Sequence, residues 1–311
     1  QSLLKTFDEA TANTLMNTYG HIFPSAYTDS FSPKLAVCDI THLEALSDGK
    51  PFVLHFYQDP REVSDQYHLK LFQRNTPIPL SEILPIIEYL GMQVLSERPY
   101  YLTFPSGHKV CISDFALSYR EPQVSFEIDA IQERFEAAFL HIWLGEVESD
   151  KFNQLILSAG LTWRQVSILR AYAKYFKQIG LPFSQEYIET AFVRHTTIAQ
   201  ACVTLFETRF NPALVFNKTT RLQRVKHLTL ELFRALNAVT NLDEDKIFRH
   251  YISVINATLR TNFYQRDPEG RVKPTISFKL NSREIPGLPK PYPLYEIYVY
   301  SPRLEGVHLR G

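Results

Sequence analysis

Few features of this chain mark a site of chemistry. Its 311 residues include only three cysteines, Cys38, Cys111 and Cys202. They lie far apart, none belongs to a CxxC pair, and their number is odd. That argues for a reducing, cytoplasmic setting and against a disulfide framework or a zinc site. The eleven glycines are dispersed and never form GxGxxG. A dinucleotide loop needs those glycines for a tight turn and close approach to a pyrophosphate, so no nucleotide site is expected. GxxxxGK[ST] and HExxH are also missing, and none of the ten histidines has a second one at i+3 or i+4. No apolar run approaches the about 18 residues of a membrane helix. The start, QSLLKTFDEATANTL, lacks the basic segment and apolar core of a signal peptide. Charge of one sign is lacking too. Lys plus Arg equals Asp plus Glu, at 33 each. Neither nucleic acid nor an anionic membrane is expected as a partner.

The chain is rich in Tyr and Phe, 17 and 22 residues, which supply core and interface area. Residues 1–20 carry Leu3, Leu4, Phe7, Ala10, Leu15 and Tyr19 at roughly helical spacing. The stretch 24–33 reads as a loop, AVCDITHLEAL returns to order, and Asp48-Gly49 marks a turn. From residue 52 the pattern becomes strand-like. PFVLHFYQ is an apolar strand. QYHLKLFQR alternates, with Tyr67, Leu69 and Leu71 opposite His68 and Lys70. LSEILPIIEYLG reads as a short helix with Ser81 as N-cap and Pro85 as a strain. MQVLSERP, YYLTF and KVCISDFALSY read as strands, the last two joined at Pro105-Ser106-Gly107. The implied unit is a small α+β sandwich with its helices on one face. PFVLHFYQ and KVCISDFALSY carry apolar residues on both faces, so the second face is expected to pack against a neighbour.

From Glu127 to about Phe263 the period is 3.6. Ile131, Phe135, Ala138, Phe139, Ile142 and Trp143 form one stripe, and Phe135, Phe139 and Trp143 are expected in the core. Thr162 and Ser184 are suited to cap helices, Asn211-Pro212 to end one, and Asp243, Glu244 and Asp245 to open another. Five or six helices are expected. After Pro268 three strands follow, TISFKLNS, YPLYEIYVYSP and EGVHLR, with little of the chain left to complete a sheet.

No residue stands out as catalytic. His195 falls between helices; His55 and His68 fall on strands. Ser106-Gly107-His108 joins two antiparallel strands, so it lacks the strand-to-helix geometry of a nucleophile elbow. Lys218, Arg221, Arg224 and Lys226 read as a solvated helix face, and Glu146 and Glu148 as loop solvation.

Longer strings carry a resemblance. GHIFPSAYTDSF, LAVCDITHLEAL, YYLTFPSGHKVCISDF, ILRAYAKYFKQIGLPFSQEYIETAFVRH, INATLRTNFYQ and ISFKLNSREIPGLPKPYPLYEIYVYSPRLEGVHLRG resemble the large bacterial NAD-specific glutamate dehydrogenases. The resemblance implies a fold class of α+β: an ACT-like (ferredoxin-like) antiparallel sheet domain, an all-α helical region, and terminal strands of a further sheet. It divides the chain into a helical lead-in at 1–51, an ACT-like domain at 52–120, a helical region at 121–265 and the first strands of a catalytic domain at 266–311. It implies a regulatory or structural segment of an enzyme that oxidises L-glutamate with NAD. The segment itself is expected to be inactive, with no catalytic, cofactor-binding or metal-binding residue. The missing initiator Met and the ending HLRG are consistent with a piece of something longer. Other domains of the same chain, a homo-oligomer and an amino-acid effector are the implied partners. In an ACT-like domain the effector would meet the strand-to-helix loop RNTPIPLS, where Asn75 and Thr76 offer polar contacts. The alternative is a free-standing amino-acid-sensing or helical interaction module.

Overall fold

The computed structural model describes residues 2–47, 52–61, 65–120 and 126–311. The chain forms two compact units, Gln1–Glu136 and Ala137–Gly311.

The first unit opens with helices α1 (Glu9–Tyr19), α2 (Ser25–Ser30) and α3 (Pro33–Ser47). Asp8 caps α1, its carboxylate accepting from the Thr11 backbone N–H. The supposed loop at 24–33 holds α2, which starts directly after Pro24, where the fixed φ of proline suits a helix entry. The expected turn at Asp48-Gly49 lies outside the described residues. Four strands follow: β1 (Phe52–Tyr57), β2 (Gln66–Arg74), β3 (Met92–Thr103) and β4 (Lys109–Tyr119). They form an antiparallel sheet in the order β1-β2-β4-β3. Helix α4 (Leu80–Tyr89) connects β2 to β3 and contains Pro85. Its N-cap is Pro79, so Ser81 lies inside the helix and does not cap it. MQVLSERP and YYLTF are one strand, which a register shift between Val94 and Ser96 bends without breaking.

Alternation along each strand divides the side chains between two faces. Phe56, Leu69, Leu71, Phe115 and Leu117 share one, and all are fully buried. This face meets α5 (Ile128–Trp143), where Phe135 stacks on Phe56 with 4.1 Å between ring centroids. The opposite face carries Val53, Phe72, Tyr100, Leu102, Val110 and Ile112. These pack with Leu15, Tyr19, Tyr27, Ile40, Leu43 and Leu46 of α1–α3 in one core. The neighbour expected for the second face is therefore the helical lead-in. The helices are not confined to one side, because strands this apolar on both faces need two covers.

In the second unit α6 (Leu155–Ser158), α7 (Trp163–Gln178), α8 (Gln185–Arg194), α9 (Thr196–Phe210), α10 (Lys218–Ala235) and α11 (Leu242–Ala257) follow the rest of α5. Thr162 and Gln165 form a reciprocal capping box on α7, and Ser184 caps α8. Asp243, Glu244 and Asp245 occupy the first turn of α11. Phe135 and Phe139 are fully buried. Trp143 is only partly covered, a correction to its place in the core: it is the last residue of its helix.

The terminal strands complete a sheet of their own. β5 (Thr258–Thr261), which helical periodicity hides at the end of α11, joins β6 (Ile276–Leu280), β7 (Tyr295–Ser301) and β8 (Leu304–Arg310) in an antiparallel meander. Its buried face includes Phe278, Leu280, Tyr298 and Tyr300. Tyr172 of α7 stacks on Phe278 at 4.3 Å.

Candidate functional site

The loop from β2 to α4 holds Asn75 and Thr76, both exposed. Asn75 has φ +62°, a left-handed conformation that asparagine tolerates better than most residues. Its backbone N–H donates to the Lys109 carbonyl at 2.9 Å, tying the loop to β4. Gln73 Oε1 accepts from Ile78 N–H at 2.6 Å, while its buried Nε2 has no partner. No side chain caps α4, and within its first turn the Glu82 N–H donates to the Pro79 carbonyl at 3.0 Å. The structure thus places Asn75 and Thr76 on the surface beside a helix start, with Gln73 shaping the loop beneath.

A second constellation lies between α3 and the sheet. The face that carries Val53 and Phe72 also carries His55, Tyr57, His68, Lys70 and Asp114. Their cross-strand partners are His55 with Lys70, Tyr57 with His68, and Lys70 with Asp114. All five are buried. Asp39 of α3, fully buried, accepts from the Lys70 ammonium and the Tyr27 hydroxyl through Oδ2. The Lys70 ammonium lies 3.6 Å from the Phe31 ring centroid, a cation–π contact in a desolvated setting. Asp114 accepts from the Tyr57 hydroxyl at 3.0 Å and lies 3.2 Å from His68 Nδ1. Asp39 Oδ1 has no hydrogen-bond partner and lies 4.0 Å from His55 Nδ1.

Burial sets the acid–base character of this layer. Desolvation raises the Asp39 carboxyl above its ordinary value, opposed by the charge of Lys70. Desolvation, aided by the neighbouring His42 and Lys70 charges, pushes His55 down to about 3. Its imidazole is neutral at physiological pH, the form that binds metals. Desolvation also raises the Cys38 thiol. Cys38 and His42 of α3 and His55 of β1 place their ligand atoms within 4.8 Å of one another. Beside them, Leu15, Tyr19, Phe23, Tyr27, Phe31 and Val37 line an apolar cavity of about 350 Å³ among the three helices.

Reasoning on the sequence placed His55 and His68 on strands but missed this layer. A search for paired histidines or paired cysteines passes over Cys38-x3-His42, an i, i+4 pair on a helix. Lys218, Arg224 and Lys226 are exposed on α10, while several other flagged residues have structural partners. His195 Nε2 meets Glu244 Oε2 at 2.8 Å between α8 and α11. The Arg221 guanidinium donates to the carbonyls of Thr208, Asn211 and Leu214, closing the end of α9. Glu146 pairs with His141 at 2.6 Å and Glu148 with Lys174 at 2.8 Å, so neither merely solvates a loop. Ser106 and His108 lie 2.5 Å apart on an exposed hairpin turn.

Four family models match in succession. Glutamate dehydrogenase helical motif 2 matches residues 2–46 and the ACT3 domain matches 51–131. Helical motif 3 matches 147–212, and the catalytic domain of bacterial NAD-glutamate dehydrogenase matches 231–311. All four are parts of glutamate dehydrogenases, the last by its description a bacterial NAD-dependent one. It is 44% identical over 309 residues to an NAD-specific glutamate dehydrogenase of Pseudomonas aeruginosa and 42% identical over 308 to one of Halomonas elongata. Each comparison covers 99% of this chain and 19% of the relative. A relative from Mycobacterium tuberculosis of the same name is 38% identical over 298 residues, 94% of this chain and 18% of its own length. The chain thus spans about a fifth of the length of these glutamate dehydrogenases, consistent with a segment of a larger enzyme. Among the described residues no helix is long and apolar enough to cross a membrane.

Proposed function

We propose that this chain is the regulatory and assembly segment of a cytoplasmic, homo-oligomeric NAD-dependent glutamate dehydrogenase. The whole protein converts L-glutamate, NAD and water to 2-oxoglutarate, ammonia and NADH. The observation that carries this reading is the succession of helical motif, ACT domain, helical motif and catalytic-domain start along one chain. Within it the division at 1–51, 52–120, 121–265 and 266–311 follows the changes of sequence period, and the neighbouring domains of the same chain are its first partners.

NAD belongs to the parent enzyme and does not fit the residues here. A dinucleotide sits where parallel strands diverge and a glycine-rich turn opens a helix. Both sheets described here are antiparallel throughout, and the positive-φ glycines, Gly91 and Gly107 among them, serve separate turns. In this reading the hydride chemistry is assigned to residues outside this segment.

The same reading assigns an amino-acid effector to the loop of Asn75 and Thr76. The uncapped start of α4 favours a carboxylate, and Asn75 supplies a polar side chain beside it. Melting of the full-length enzyme across the free amino acids tests this. An effector raises the melting temperature, and Asn75→Gly, which keeps the left-handed backbone, diminishes the rise. No shift with any amino acid removes the effector from this reading.

A further inference from the structure

Cys38 and His42 lie one turn apart on α3, so both side chains occupy one helix face. That helix runs against β1, which brings His55 to the same point. Cys38 Sγ is 3.8 Å from His55 Nε2 and 3.9 Å from His42 Nδ1. Around a tetrahedral zinc ion, with its usual bond lengths to sulfur and nitrogen, those atoms stand roughly 3.5 Å apart. The two sulfur–nitrogen distances are within a few tenths of an ångström of that spacing, and all three ligand atoms lie within 4.8 Å of one another.

The surroundings hold the outer partners that such ligands use. A metal-bound imidazole commonly donates its second N–H to a carboxylate or a backbone carbonyl. His55 turns Nδ1 toward Asp39 Oδ1, the fully buried acceptor that has no hydrogen-bond partner. His42 Nδ1 lies 2.8 Å from the Cys38 carbonyl, a contact that ligation through Nδ1 replaces. The two rings are stacked, 4.5 Å between centroids and 22° between planes. Ligation turns one ring about χ2, a broad and soft torsion in histidine, and leaves the backbone in place.

We propose that Cys38, His42 and His55 form a site for a divalent transition ion of the zinc class, which fastens α3 onto the sheet. One thiolate and two imidazoles select such an ion over magnesium or calcium, whose ligands are oxygens. Three protein ligands leave the fourth tetrahedral position to water. Asp39 holds His55 in the ligating orientation and offsets the charge of Lys70. Cys111 and Cys202 are buried and Cys38 is partly exposed, so Cys38 is the thiol that an ion reaches.

Cobalt(II) reports on the site directly, because its spectrum distinguishes thiolate and tetrahedral ligation. Titration into the intact, reduced chain should give one equivalent of binding, a thiolate-to-cobalt charge-transfer band and strong visible bands, all displaced by zinc. Zinc should also raise the melting temperature and slow alkylation of Cys38 by about tenfold or more. Cys38→Ser should abolish the charge-transfer band, and His55→Gln should weaken binding by about 10–100-fold, the loss typical of a disturbed metal shell. Alkylating Cys38 in the folded wild-type chain provides the same test if Cys38→Ser does not fold. No cobalt band in a natively folded chain with reactive Cys38 would overturn the proposal. So would a band that survives loss or blocking of Cys38.

Discussion

Phe56 on β1 and Phe135 on α5 stack with an interplanar angle of 19°, and both rings are fully buried. The adjacent Glu136 accepts from the Phe56 backbone N–H at 2.7 Å, so one helix turn binds both the side chain and the backbone of the edge strand. Phe135→Ala should cost about 3–5 kcal/mol, the lost burial plus the cavity. Phe139→Ala, equally buried in α5, should cost a similar amount. Chemical denaturation measures both, and a change within about 0.5 kcal/mol of zero would place the ring in solvent.

Lys70 and Asp39 form an ion pair with no exposed surface on either side chain. Removing one partner strands the other, and Lys70→Met should destabilise by about 3–5 kcal/mol. The double variant Lys70→Met, Asp39→Asn should lose less than the sum of the single losses, because neither charge remains. Strictly additive losses in a double-mutant cycle would mean that the pair is not coupled.

The helical half was the most legible part in sequence. Caps at Thr162 and Ser184 and the acidic opening of α11 are local signals, and local hydrogen bonds define them. Strand alternation in QYHLKLFQR was equally clear, but it marks His68 and Lys70 as polar without showing that α3 buries them. Burial of a polar layer depends on a long-range contact, and no spacing within one strand records it. β5 was hidden for a related reason: its four residues continue the pattern of α11, and only pairing with β6 makes them a strand. At the candidate sites, Asn75 and Thr76 came from loop position, whereas Cys38, His42 and His55 meet only once helix and sheet are packed.

Glu189 is buried beside Asp150 and Arg170. It accepts from Gln185 Nε2 at 2.8 Å and from the Lys151 backbone N–H at 3.2 Å. Desolvation, aided by the charge of Asp150, raises its carboxyl above the ordinary 4.5. A raised acid binds its proton more tightly in the folded state, so its contribution is fully present below the ordinary value. That contribution is lost as pH rises through the raised one. Glu189→Gln keeps only one of the two acceptor oxygens, a loss that does not vary with pH, and removes the titration. Its stability relative to wild type should therefore increase with pH from the carboxylate range toward neutrality. Denaturation midpoints at several pH values provide the check; a difference independent of pH would contradict the raised carboxyl.

We propose that this segment serves a dehydrogenase without performing its chemistry. The most direct measurement is NAD reduction by the purified 311-residue chain with L-glutamate, beside the full-length enzyme and a mock preparation. The full-length enzyme should turn over while the segment stays at the mock level at every concentration. NADH formation that rises in proportion to the segment and depends on L-glutamate would contradict the claim.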